Sequence, residues 1–323
     1  MNSPKIVLIG TKIITVYYKV QHSVHCFFLL YINDLQYVIN NMSKPTLFTD
    51  DTSIIFSNSE STDYATEFIA PFDKINLYFA INSLSFSLNK TNYMHFTAKW
   101  NTNIDISINF EDIQINNIYN VKYLGLPIDN TLSWKKQIEQ LAPRLSSVGY
   151  SVGSFKPIIS QKSLRTIYFS YIHPTMSYGM IFWGNFSYSS SVFKMQTRII
   201  IIIMNAVSID SYLPLFKELN IFPLYSQYIF SLSTFVVKNT DTFKLNFAIH
   251  TINTRRDFNL HPPTTNLIKA QKGVNYYSGI NIFDNLPLNI RKFSHYTNKF
   301  KLALNKFFLA GPFTSVMNTL NGN

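Results

Sequence analysis

The sequence predicts an α+β chain: an antiparallel sheet with packed helices in the first part, then a mostly α-helical part from about residue 134. Three observations predict it. Between residues 82 and 129 apolar side chains recur with period two (Ile104, Ile106, Ile108, Phe110, then Ile113 and Ile115), the alternation of half-buried strands. From Trp134 the spacing lengthens to three and four (Ile138, Leu141, Leu145, Val148; later Leu164, Ile167, Tyr168, Tyr171), which places the apolar residues on helical faces. Earlier, Leu47-Phe48 and Ile54-Ile55-Phe56 flank a polar turn that contains Asp50-Asp51, the pattern of a hairpin with acid at its tip.

The elements follow in order. Residues 1–20 alternate loosely (Ile6, Leu8; Ile13, Ile14, Val16, Tyr18) and predict a strand or two. Phe28, Ile32, Leu35 and Ile39 share one helical face, and Lys44-Pro45 is expected to separate that helix from the hairpin. Ser61 or Thr62 suits the N-cap of a helix with the stripe Phe68, Phe72, Ile75 and Phe79, kinked at Pro71. Glu111-Asp112 is the expected turn between two strands, and Gly125 marks a bend or a close backbone approach in residues 121–129. Helices then run to about residue 237. Within them Trp183 and Tyr178 are expected in the packed core, with stacking on bases as the other use of such rings. Residues 199–204 (Ile199 to Met204) read as one buried helical turn.

Composition limits the partners. The 323 residues suffice for two domains, and 46% hydrophobic with 14% charged residues describe globular sequence. A formal charge of +11 favours polyanions, nucleic acid first and an anionic membrane surface second. Basic residues concentrate late: Arg144, Lys156, Lys162, Arg165, Lys194, Arg198 and Lys217 face the single acid Asp210 over that stretch. Cys26 is the only cysteine, which excludes an internal disulfide and a multi-cysteine zinc site and fits a reducing compartment. His22, His25, His173, His250 and His261 lack metal-ligand spacing. No apolar run reaches the roughly 18 residues of a membrane span, and Lys12 and Lys19 break the short apolar start that resembles a signal peptide. The expected location is intracellular, cytoplasmic or nuclear, with no membrane partner.

Asp50-Asp51 is the densest chemistry in an acid-poor chain. Adjacent residues of an extended segment point to opposite faces, so one carboxylate can look into a cleft while the other braces the turn. Such a hairpin suits Mg²⁺, which takes one or two carboxylates and shares its other positions with water and phosphate. An Asp-Asp pair is equally a good turn dipeptide between strands.

Four blocks in order carry a resemblance: Phe28-Leu29-Leu30-Tyr31-Ile32-Asn33-Asp34-Leu35; Phe48-Thr49-Asp50-Asp51-Thr52; residues 84–96 with Asn89-Lys90-Thr91; and Tyr123-Leu124-Gly125-Leu126-Pro127-Ile128-Asp129. They resemble successive blocks of the palm of reverse transcriptases (RNA-directed DNA polymerases) from jockey-like, LINE-type non-LTR retrotransposons. The likeness continues through Trp134, Ser177-Tyr178-Gly179-Met180-Ile181-Phe182-Trp183-Gly184, Asn253-Thr254-Arg255-Arg256 and Ile282-Phe283-Asp284-Asn285-Leu286-Pro287.

The resemblance implies a truncated polymerase palm over residues 24–133, a helical thumb over 134–240 and a basic C-terminal extension over 241–323, after a non-matching segment 1–23. It implies Asp50, Asp51 and Lys90 as catalytic residues, with Asp50 the Mg²⁺ ligand, Asp51 its partner and Lys90 near the nucleotide's phosphates. Tyr123, Leu124 and Gly125 resemble the primer grip. Arg144, Lys156, Lys162 and Arg165 would then hold an RNA template and DNA primer by their phosphates, and deoxynucleotides would be the substrate.

Departures from the family pattern are specific. Thr49 stands where alanine is usual, Phe86-Ser87 where Leu-Asn is frequent, and Glu111-Asp112 at a turn that usually contains glycine. Two-metal phosphoryl transfer needs carboxylates on both sides of the ions, and one of the family's lies on an earlier strand. Residues 1–33 contain no Asp or Glu. The expectation is therefore a polymerase fragment by descent, inactive alone. The alternatives are a non-catalytic basic nucleic-acid-binding protein and the product of a degenerate transposon reading frame.

Overall fold

A computed structural model describes residues 5–14, 23–39, 43–48, 51–58, 64–87, 90–96, 108–110, 113–206, 212–243, 259–261 and 275–310. The chain divides into two units at a single point, Met1–Ser133 and Trp134–Asn323.

The first unit is α+β. In chain order it contains β1 (Lys5–Ile14), α1 (Ser23–Tyr31), α2 (Leu35–Val38), β2 (Ser43–Phe48), β3 (Asp51–Asn58), α3 (Tyr64–Ile81), β4 (Ser85–Phe86), β5 (Asn92–Phe96), β6 (Ile108–Phe110), β7 (Ile113–Asn117), β8 (Asn120–Tyr123) and β9 (Leu126–Asp129). The main sheet runs β2-β3-β1-β5-β7-β6, with β4 paired to the end of β1. β1 is antiparallel to both β3 and β5, so the segment that matches no family block is an interior strand of the sheet.

Side-chain periodicity divides this sheet into two faces. In register across β2, β3, β1 and β5 lie Pro45, Ile54, Ile9 and Tyr93. Ile54 and Tyr93 of this row are buried, and Ile54 joins Ile32, Leu35, Ile39, Ile75, Tyr78 and Phe79 in one cluster with Phe28, Leu47 and Leu84 against it. That face carries the helices. The helices are themselves pinned: Tyr78 donates its hydroxyl to Asp34 Oδ1, and Tyr31 donates to the Asn82 carbonyl at 2.7 Å. Burial, then the adjacent Asp34 carboxylate, pushes the Tyr78 phenol well above its ordinary value.

One local expectation changes here. Lys44-Pro45, expected as the break between the helix and the hairpin, lies inside β2. β2 is an edge strand, where proline's missing N–H leaves no ladder partner unmet. A single helix spans Pro71 from Tyr64 to Ile81, its Phe72, Ile75 and Phe79 buried as the stripe requires. Phe68's side chain, the Ser61 and Thr62 cap, Ile104, Ile106 and the Glu111-Asp112 turn lie outside the described residues.

The second unit is helical: α4 (Lys135–Phe155), α5 (Gln161–Ile167), a π-helical turn (Tyr168–Ile172), α6 (His173–Ser177), α7 (Met180–Trp183), α8 (Ser189–Met204), α9 (Leu213–Glu218), α10 (Leu224–Lys238), α11 (Asn275–Asp284), α12 (Leu288–Arg291) and α13 (Thr297–Ala310). α4 buries Ile138, Leu141, Leu145 and Val152 and packs along α8, which buries Ile199, Ile200 and Ile203. α11 and α13 both return to pack on α10: Val236, Phe243, Leu260 and Ile280 form one cluster, and Phe308 meets Phe222 edge-on at 5.7 Å. Residues 275–310 are thus part of this unit's core.

One polar clamp holds its centre. α10 begins at Pro223, which has no side-chain cap to offer. The Leu224 N–H donates instead to Gln196 Oε1 at 2.8 Å, while Gln196 Nε2 donates to the Phe222 carbonyl at 2.9 Å and the Tyr168 hydroxyl at 2.8 Å. Gln196 and Tyr168 are both fully buried.

Charge separates the two units as sharply as structure does. Unit two holds 20 Lys and Arg against six Asp and Glu, whereas unit one holds eight against 11. The chain's positive excess therefore resides in the helical unit.

Candidate functional site

β3 and the segment before β5 bring two of the family-like positions, Asp51 and Lys90, to one end of the main sheet, beside Lys12 on β1. Asp51 is the first residue of β3 and stands in register with Phe48 on β2 and Lys12 on β1. The β1–β5 ladder ends at Gly10 and Asn92. Lys90, two residues before Asn92, falls at the same end as Lys12, which is two residues after Gly10. Neighbouring strands are about 4.8 Å apart, so position 90 is on the order of 10 Å from position 51 across β1. Lys90 is exposed, and its backbone N–H is tied to the Ser87 carbonyl at 3.1 Å. Asp50 lies outside the described residues.

The row through Phe48, Asp51 and Lys12 is on the sheet face opposite the helices. Phe48 and Thr46 of that face are exposed, whereas Ser53 and Met94 are buried. The family-implied Mg²⁺ would need a second carboxylate on the strand beside β3. That strand is β1, and it has lysine at the opposed position and no Asp or Glu anywhere. A lysine offers a cation no oxygen ligand, and the side chain of Asp51, like Asp50, lies outside the described residues. Among the described residues no group of three or more His, Cys, Asp or Glu could hold a metal.

The primer-grip-like residues form a separate two-stranded sheet. β8 and β9 are joined by Leu124 and Gly125, both left-handed, with φ 45° and 84°. This is the geometry of a two-residue hairpin turn that twists with its strands, and it suits Asn-Gly far better than Leu-Gly. A leucine held at positive φ costs about 1–2 kcal/mol, and the 38% exposed Leu124 side chain stands at the tip. Asp129, at the other end of the hairpin, is a turn-builder: it accepts from the backbone N–H and hydroxyl of both Thr131 and Ser133.

In the helical unit the four proposed phosphate contacts divide. Arg144 on α4 and Lys162 on α5 are exposed. Arg165 is half-buried, donating through Nε to the Leu219 carbonyl at 2.6 Å with its guanidinium 4.8 Å above the Phe169 ring. Lys156 donates to Asn205 Oδ1, joining the end of α4 to the end of α8. These last two work in the fold. Trp183 is in the core, its Nε1 donating to the Tyr178 carbonyl at 3.1 Å. Tyr178 differs from expectation: it is 53% exposed, with extended backbone at the end of α6. No described helix is long and apolar enough to cross a membrane.

Sequence reasoning missed a cleft between α4 and α8, about 470 Å³, with Gly149 and Gly153 on one wall and Arg198 on the other. Tyr150 at its rim is 80% exposed. The available signal was phase: position 150 falls off the apolar stripe set by Leu145, Gly149 and Val152.

Comparison with models of known protein families and with curated proteins finds no match to this chain.

Proposed function

We propose that the chain is the C-terminal part of the palm, the thumb and the tail of a non-LTR-type reverse transcriptase, and that in this form it binds template and primer without completing nucleotidyl transfer. The observation that carries the reading is the arrangement of unit one. A hairpin whose second strand opens at Asp51 is the edge of a sheet ordered β2-β3-β1-β5, with helices on one face and the Lys90 block at the same sheet end as Asp51. The helical unit that begins at Trp134 adds a strongly basic body, as a phosphate-holding thumb requires.

Lys12 favours binding over catalysis. Lys12 stands in register with Asp51, and with β1 seated between β3 and β5 the neighbouring position is already taken by a strand without acid. The expected activity is salt-sensitive, sequence-tolerant binding of a primed RNA template, with affinity falling steeply between roughly 50 and 200 mM salt.

The test has two arms. Anisotropy of a labelled RNA template with annealed DNA primer is expected to show salt-dependent binding; salt-independent or absent binding would remove the nucleic-acid reading. Primer extension with Mg²⁺ and deoxynucleotides is expected to yield no product. Incorporation that disappears in Asp50→Ala would establish instead that the centre is complete.

A further inference from the structure

We infer that the cleft between α4 and α8 is a single-strand binding site, in which a base stacks on Tyr150 and the adjoining phosphate meets Arg198. The inference rests on reading unit two as a nucleic-acid-binding body, and it assigns to that body a second ligand form, unpaired strand, beside the duplex.

The geometry begins with two glycines. A Cβ on Gly149 would come within 3.3 Å of Ile199 Cγ1, so a bare backbone there lets the two helices approach closely. One turn on, a Cβ on Gly153 would lie 3.9 Å from Ile202 Cγ2, ordinary contact distance, and the absent side chain leaves open space. A cleft of about 470 Å³ is the size that takes a small ligand, within the roughly 300–1,000 Å³ of such sites. That is nucleotide scale and far below the girth of a duplex.

Charge and aromatic exposure identify the occupant. The cleft is lined by one cation, Arg198, and no carboxylate, with the exposed Lys194 one turn away on α8. The unit around it carries 20 basic residues against six acidic ones. At the rim, the 80% exposed Tyr150 presents a ring that the unit's own core does not use. An aromatic face beside a cationic track is the arrangement by which proteins hold unpaired strands without reading sequence, and each stacked base contributes about 1–3 kcal/mol. Ser146, on the same wall, donates to Met195 Sδ on α8 at 3.3 Å.

The test uses the full chain and three probes: labelled oligo(dT), a blunt DNA duplex of equal length, and polyglutamate as competitor. Tyr150→Ala is expected to weaken oligo(dT) binding roughly 5- to 150-fold, the range that one stacked base supplies, and to leave duplex binding unchanged. Tyr150→Phe should bind as the parent does. Gly153→Leu fills the cleft and should reproduce the loss with Tyr150 intact, while circular dichroism confirms that the helices persist. Arg198→Gln should lower the slope of log affinity against log salt by about 0.7, the share of one single-strand phosphate.

Equal oligo(dT) affinity in Tyr150→Ala and the parent would overturn the inference. So would displacement of oligo(dT) by polyglutamate as effective as by unlabelled oligonucleotide, which would indicate an acidic peptide. If duplex binding stays salt-dependent while Tyr150→Ala has no effect, the cleft assignment alone falls. If the parent binds neither probe, the reading of unit two falls with it.

Discussion

Replacing Gln196 with leucine tests whether the helical unit is held by a polar clamp or by apolar packing alone. Gln196 is 1% exposed, and its amide satisfies three groups: the Leu224 N–H at the start of α10, the Phe222 carbonyl and the Tyr168 hydroxyl. Leucine has nearly the same volume but satisfies none of them. Two buried backbone groups left without partners cost about 1–3 kcal/mol each. The better burial of a leucine side chain recovers on the order of 1–2 kcal/mol. A net loss of about 2–3 kcal/mol is the midpoint of these two effects, within a span of roughly 0–5 kcal/mol. For a unit of this size that corresponds to a fall in Tm of roughly 2–4 °C per kcal/mol.

Tryptophan emission is the suitable readout, since Trp134 and Trp183 are both buried in unit two. Tyr168→Phe removes only one partner and is expected to cost about 1 kcal/mol. The double variant should cost less than the sum of the singles, because the two side chains share a hydrogen bond. A Gln196→Leu variant within about 0.5 kcal/mol of the parent, the size of an ordinary surface change, would refute the clamp and assign the stability of α10 to its apolar contacts.

Three further outcomes are expected. Lys12→Asp places a second carboxylate in register with Asp51 and should create saturable Mn²⁺ binding by calorimetry, lost again on adding Asp51→Asn; equal binding in the parent would show that Lys12 does not oppose a cation. Leu124→Asn relieves a leucine held at φ 45° and should stabilise unit one by about 1 kcal/mol in urea unfolding; no gain would mean that the tip's strain is offset by leucine's own contacts. Burial pushes the Tyr228 phenol up to about 12, with a hydrogen bond from its neighbour Ser278 opposing the shift. The unfolded tyrosine loses its proton near pH 10, about two units lower, so the stability is fully present below roughly pH 10 and is lost as pH rises toward 12. Thermal melts should fall through that window by about 2–3 kcal/mol more in the parent than in Tyr228→Phe.

The local elements were legible because their signals are local. Phe72, Ile75 and Phe79, and again Ile138, Leu141 and Leu145, sit at helical spacing and are all buried. The hairpin around Asp50-Asp51 and the bend at Gly125 were legible for the same reason, since turn chemistry is carried by a few adjacent residues. Expectations failed where a neighbour distant in sequence decides. Pro45 reads as a break until β2 is known to be an edge strand. Tyr178 reads as core until its exposure at the end of α6 is known. Nor does the sequence show that Arg165 donates to the Leu219 carbonyl or Lys156 to Asn205.

By itself the sequence determined the α+β class, the change to helix at Trp134 and the blocks around Asp50 and Lys90, because periodicity, turn residues and short motifs reside in contiguous residues. Only the tertiary structure decided that β1 enters the sheet between β3 and β5, that Lys12 stands in register with Asp51, that Gln196 caps α10, and that Tyr150 overlooks a cleft beside Arg198. Each of these is a pairing between segments far apart in the chain, and strand order and helix contacts are selected by the burial of whole faces at once.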